Sequence, residues 1–222
     1  MEIQRVDTQR AYELILEKIT TLELAPGAPI NEQQLAAGFN TGLTPVQEAL
    51  RLLEHEHLVR ITPRHGVYVA DVNLPDLEQI STLRLALESL AASLAAQHAT
   101  ADDLAVLDAL RQQQMAADPA DPRALFDIDQ KFHQAIAAAA HNKYLAETLD
   151  HFFGLSLRFW YLVLPASREA PSPLGFLPGS VEKHLALVDA IRSHDAGAAE
   201  SIMHAHVESF YNEVRLVLAP GK

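Results

Sequence analysis

Asn40-Thr41-Gly42-Leu43-Thr44-Pro45-Val46-Gln47-Glu48-Ala49-Leu50-Arg51-Leu52-Leu53 is the stretch that decides the fold of this 222-residue chain. Asn40 to Leu43 reads as a tight connection. Thr44 is then a helix cap, Pro45 suits the first helical position, and Gln47 closes a capping box. Ala49, Leu50 and Leu53 form an apolar face. Upstream, Pro26-Gly27 forces a turn, and Asn31 with Gln34 three residues on caps a short helix to about Phe39. Ahead of that, Ala11, Ile15, Leu16 and Ile19 recur at helical spacing, so residues 9–23 are expected to form an amphipathic helix. Downstream, Leu58-Val59-Arg60-Ile61 and Val67-Tyr68-Val69 are β-prone runs around a polar, glycine-containing loop, which reads as a hairpin. Helix, helix, turn, helix, hairpin is the order of a winged helix-turn-helix.

From Asn73-Leu74-Pro75 onward the pattern is helical throughout. The expected segments are 76–98, 100–116, 121–140, 143–164, 181–193 and 195–218, with Thr100 and Asp195 as caps. Pro165 to Ser180 is the one long loop. The fold class is therefore mainly α, with a winged helix-turn-helix over 1–72 and an antiparallel helical bundle over 73–222.

Composition narrows the chemistry. The chain is 49% apolar and 21% charged, ordinary for a packed globular protein. It has no cysteine, so disulfides, thiolate metal sites and cysteine nucleophiles are excluded. The start, MEIQRVDTQR, is not a signal peptide, and no apolar run approaches the roughly 18 residues that span a bilayer. A soluble, cytoplasmic protein without membrane partners is expected. The net charge of −12 disfavours nucleic acid as a whole, but residues 1–70 carry only −3 of it.

Two sets of residues carry function. A recognition helix places its N-terminal side chains on base edges in the major groove. Here that end offers Thr44 and Gln47, with Arg51 a turn later, and glutamine can read adenine with two hydrogen bonds. Arg64-His65-Gly66 at the tip of the wing can reach a backbone or a minor groove. The second set draws on eleven histidines. Asp129 and His133 are four residues apart, about 6 Å in helical rise, and share a face with Phe126, Ile136 and Ala140. His184 lies on the stripe of Val181, Val188 and Ile191. His206 lies on that of Ala199, Ile202 and Phe210, whereas His204 faces elsewhere. Each of these histidines alone could be a core imidazole satisfied by Asp129 or a backbone carbonyl. Four ligand-type residues on three apolar faces together favour a metal.

Ile30-Asn31-Glu32-Gln33-Gln34-Leu35-Ala36, the stretch from Leu43 to Leu53, and Arg64-His65-Gly66-Val67-Tyr68-Val69 resemble the GntR family of winged-helix regulators. Thr44, Pro45, Val46, Glu48, Ala49 and Leu50 match its recognition helix. The family's two arginines there fall on Leu43 and Gln47, and Asn40-Thr41-Gly42 replaces its usual Gly-Val-Ser, so an altered operator preference or weaker binding is expected. Residues 76–218 resemble the FadR-type effector domain, called FCD, through Arg84-Leu85-Ala86-Leu87-Glu88, Asp129, Phe132-His133, Asn142, Glu182-Lys183-His184, Met203 and His206-Val207. The resemblance implies a homodimeric repressor that binds double-stranded operator DNA through Gln33, Thr44, Gln47, Arg51, Arg64, His65 and Gly66. It implies one divalent transition metal per subunit (Zn, Ni, Mn or Fe) on Asp129, His133, His184 and His206. It also implies a small carboxylate effector, for which Arg84 is the candidate partner. Arg158, Trp160, Tyr161 and Asn142 are expected around the same cavity. The alternative to a regulator is a metalloenzyme using the Asp/His site to activate water; no motif places an extra acid or base for it, and Glu182 and His151 stay open as candidates.

Overall fold

The computed structural model describes residues 2–118, 121–167 and 178–218. They fall into two compact units, one of the residues up to 73 with 157–162, the other of those from 74 to 156 with those after 162. The sequence-based division at 72/73 does not assign residues 157–162 to the first unit.

In the first unit, helix α1 (Glu2–Thr20) packs on α3 (Leu43–His55). Ala11, Ile15 and Ile19 are buried on α1, and Val46, Ala49, Leu50 and Leu53 on α3. The polar flank of this contact is tied by Thr8 Oγ1 donating to Glu48 (2.7 Å) and the Tyr12 hydroxyl donating to Glu56 (2.8 Å). Helix α1 thus begins seven residues before the expected start. It stops three residues early because Leu22 turns left-handed (φ 60°), and Leu24 N–H reaches back to the Lys18 carbonyl (2.8 Å). Helix α2 (Glu32–Gly38) has the expected cap, with Asn31 accepting from the Gln34 N–H at 3.0 Å.

The cap of α3 differs from expectation. Its N-cap is Gly42 in extended conformation, with no side-chain capping bond. Thr44 is already inside the helix, and Gln47 closes no box. Pro45 therefore stands third in the helix and not first. That is tolerated because the first helical N–H groups have no intrahelical acceptor to lose.

The wing is β2 (Val59–Thr62) and β3 (Gly66–Val69), paired antiparallel from Val59–Val69 to Thr62–Gly66. A third strand that the pattern did not announce, β1 (Pro29–Ile30), pairs with the other edge of β3, giving the order β1-β3-β2. The turn between β2 and β3 needs left-handed backbone at Arg64 (φ 66°) and Gly66 (φ 113°).

The second unit is built from α4 (Leu74–His98), α5 (Ala101–Ala116), α6 (Pro122–Ala139), α8 (Pro178–Arg192), α9 (Ala196–Leu218) and the parts of α7 (Lys143–Ser167) outside residues 157–162. Helix α4 packs on α9, α6 and α8. One core cluster gathers Ala92, Ala95 and Ala96 with Leu107, Phe132, Ile136, Leu187, Ile191, Ala199 and Met203. Alanines on α4 let neighbouring helices approach closely, since interaxial distance follows the side chains at the contact. A second cluster joins Ala91, Ala137 and Ala140 to Leu145, Leu149 and Phe153. Both expected caps form. Thr100 makes a full capping box with Asp103, and Asp195 accepts from Ala198 N–H at 2.9 Å. The expected loop from Pro165 to Ser180 is trimmed at both ends, because α7 runs to Ser167 and α8 begins at Pro178. Residues 168–177 lie outside the described residues. No described helix is long and apolar enough to cross a membrane.

Candidate functional site

Helix α6 supplies Asp129 and His133 one turn apart, α8 supplies His184, and α9 supplies His206. All four are buried, His184 completely. One ligand atom from each lies within 4.8 Å of all the others. His133 Nε2 and His184 Nε2 stand 3.0 and 3.3 Å from His206 Nε2. Asp129 oxygens lie 3.7 Å from His133 Nε2 and 3.5 Å from His184 Nε2. Ligand bonds of about 2.1 Å place neighbouring donors about 3.0 Å apart at right angles and about 3.4 Å apart in a tetrahedron. The observed spacings are of that size.

The outer ring nitrogens decide whether an ion fits. His133 Nδ1 meets Glu88 on α4, and His184 Nδ1 meets Gln114 Oε1 on α5 at 2.9 Å. Both partners offer acceptor oxygens, so each Nδ1 is placed to donate and each Nε2 is turned inward, the arrangement of metal-ligating histidines. Lone pairs converging on one carboxylate call for a cation, and the donor set fits a divalent transition metal. Phe132 stacks on the His184 ring, with centroids 4.0 Å apart, and holds its plane.

The titration of these groups follows their surroundings. Burial, then the neighbouring imidazoles, pushes His184 well below the ordinary histidine range. Burial and His133 do the same to His206. Burial would also lower His133, but Glu88 and Asp129 outweigh it and raise the group. Burial opposes ionisation of Glu88, yet Arg84 and His133 overcome it and hold the carboxyl down at about 2. Arg84 Nε donates to Glu88 at 2.6 Å, and its guanidinium lies over the rings of Phe153 (5.0 Å) and Phe210 (5.6 Å).

A cavity of about 70 Å³ opens beside this cluster, lined among others by Arg84, Asp129, His133, Lys183, His206 and Glu213. Arg84 therefore faces the cavity and pairs with Glu88 at once. The other expected effector residues lie elsewhere. Asn142 caps α7, accepting from the Leu145 N–H at 3.2 Å. Arg158 donates to the Ala70 carbonyl. Tyr161, half-buried, groups with Arg158 in the first unit. None of these three lines the cavity. Sequence reasoning missed Gln114, Lys183 and Glu213. Glu88 entered only as part of the FCD-like stretch from Arg84, four residues away, with no role at the site. Gln114 left no signal.

On the first unit, Thr44 and Arg51 are exposed on α3, as is Gln33 on α2. Gln47 is half-buried, and its Nε2 donates to Glu32 Oε2 at 3.1 Å. Arg64, His65 and Gly66 form the exposed wing turn. The turn is closed by His65 N–H on the Thr62 carbonyl (3.0 Å) and braced by the Tyr68 hydroxyl on the His65 carbonyl (2.9 Å). An open groove runs between the start of α2 and this wing. Leu43, where the resemblance leads one to expect arginine, is 40% exposed.

A winged helix-turn-helix followed in the chain by a helical unit with a buried Asp/His cluster defines the class of two-part, DNA-binding transcriptional regulators. The chain belongs to the GntR family of bacterial regulatory proteins, which matches residues 7–69, with an FCD domain matching residues 79–209. It is similar to the HTH-type transcriptional repressor RspR of Escherichia coli, 27% identical over 94% of this chain and 89% of that one. It is 30% identical to an HTH-type transcriptional regulator in an unstable DNA locus of Streptomyces ambofaciens, over 97% and 88% of the two chains. Among solved structures, E. coli McbR/YncC shares the fold with a TM-score of 0.79 at 22% identity, over 95% of this chain and 96% of that one.

Proposed function

We propose that this protein is a homodimeric, cytoplasmic repressor whose operator binding is modulated by a small organic acid held beside a metal in the helical unit. The observation that carries the reading is the convergence of Asp129, His133, His184 and His206 on one point at the wall of a cavity that also presents Arg84 and Lys183. The ligands would be those four residues, with Glu88 and Gln114 orienting two of the imidazoles. A bound Zn, Ni, Mn or Fe ion would supply Lewis-acid attraction for a carboxylate. Arg84 is positioned by Glu88 and by two aromatic rings, so it offers its remaining N–H donors to the same acid. The revised acid-facing set is Arg84 and Lys183, without Asn142, Arg158 and Tyr161.

Thr44, Gln47, Arg51, Gln33 and the wing turn Arg64-His65-Gly66 form the DNA-facing set. Dimerisation follows from the need to read two half-sites about one helical turn apart. The acid acts by binding one arrangement of the DNA-binding units better than the other, since equal affinity would shift nothing.

The test is operator binding by metal-loaded protein to DNA from its own upstream region, in a salt titration, with and without small acids. A palindromic site whose affinity falls steeply with salt and changes with one acid is the expected result. Specific binding indifferent to every acid would sink the effector reading. An acid returned chemically altered from the metal-loaded protein would favour the enzymatic alternative.

A further inference from the structure

The contact between Gln47 and Glu32 says more than that two helices touch. A primary amide carries two N–H donors and one carbonyl acceptor, whereas an ionised carboxylate only accepts. Glu32 therefore fixes which end of the Gln47 amide is nitrogen, because the opposite orientation would set oxygen against oxygen. With one N–H given to Glu32, one N–H and Oε1 remain. Gln47 shares its helical stripe with the exposed Thr44 and Arg51, three residues before it and four after. That stripe lies away from the buried face of Val46, Ala49, Leu50 and Leu53. In the major groove, adenine presents an acceptor at N7 beside a donor at its N6 amino group. Guanine presents two acceptors, N7 and O6.

We infer that Glu32 is a positioning residue that makes Gln47 an adenine reader in each operator half-site. This rests on the DNA-binding reading above. The oriented amide accepts from N6 and donates to N7. Guanine is rejected because its O6 would face Oε1, and an amide free to turn over would lose much of that discrimination. Glu32 thus does for this chain's glutamine what Glu88 does for His133: it removes one of two orientations before the partner arrives.

The experiment is selection of bound duplexes from a random pool by the full chain, followed by competition titrations on single-base variants of the selected site. The wild type is expected to enrich a palindrome with one adenine per half-site. Guanine in its place weakens binding by about 5- to 150-fold, and 7-deazaadenine, which lacks N7, weakens it as well. Gln47→Ala is expected to level the four bases at that position and leave the others as they were. Glu32→Ala is expected to shrink the adenine-over-guanine ratio at that same position alone. A merely structural brace would weaken all sequences equally and leave the ratio unchanged, which overturns the inference. So does a selected site with no adenine that depends on residue 47. A pool in which nothing is enriched would overturn the DNA-binding reading itself, and this inference with it.

Discussion

Glu88 takes a donor on each of its carboxylate oxygens, one from Arg84 and one from His133. Replacing it by glutamine keeps the shape and removes the charge that fixes the His133 ring. Glu88→Gln is therefore expected to weaken metal binding by about 10- to 100-fold, read by chelator competition. Unchanged affinity would mean that His133 is oriented by something else. At the surface, Asp103 is held below the usual carboxylate range, first by the Thr100 hydroxyl and then by the Thr100 N–H. A lowered acid stabilises the fold above its unfolded value, and the contribution is lost as pH falls through the lowered one. Asp103→Asn should thus cost about 0.3–1 kcal/mol at neutral pH and nothing once both forms are uncharged in acid. Urea unfolding at pH 7 and at successively lower pH measures the difference. A penalty that persists in acid would assign the effect to packing.

At the scale of elements, Ile15 is fully buried in the contact of α1 with α3. Ile15→Ala should cost about 2–5 kcal/mol in transfer and cavity terms, and operator binding should fail at a lower urea concentration than in the wild type. Loss of less than about 1 kcal/mol would mean that the site collapses around the gap. These elements were largely legible because burial imposes a period. The faces of α3, α6, α8 and α9 could be read from their apolar spacing, and with them the inward aim of Asp129, His133, His184 and His206. What stayed hidden depends on partners distant in sequence. Residues 2–8 show little apolar periodicity, and Thr8 reaches 40 residues along the chain to Glu48. Strand β1 is two residues long and exists only because β3 has a free edge. Thr44 and Gln47 made a plausible cap by spacing, yet the helix starts earlier and Gln47 finds Glu32 instead. Arg158 and Tyr161 occupy the same helix as Phe153, but lie beyond the stretch that lines the cavity.

Across the whole molecule, the chain divides into two units, and among the described residues the ligand cluster lies in the second. A metal at about 100 times its dissociation constant should stabilise the state that binds it by roughly 2.7 kcal/mol. Calorimetry with and without chelator should move the unfolding of the helical unit and leave that of the winged unit in place. Asp129→Ala should abolish the shift. An identical shift in Asp129→Ala would place the ion elsewhere. The same cluster has a thermodynamic corollary. Arg84, Glu88 and His133 form one chain of contacts from the cavity wall to the ligand nitrogen. An acid bound to the remaining donors of Arg84 would share its positive charge, leave more negative charge on the carboxylate facing His133 Nδ1, and so make Nε2 a stronger electron donor. Whatever factor the acid then adds to the protein's affinity for metal, the metal must return to its affinity for the acid. A positive coupling of this kind would let each ligand lower the concentration at which the other fills its site.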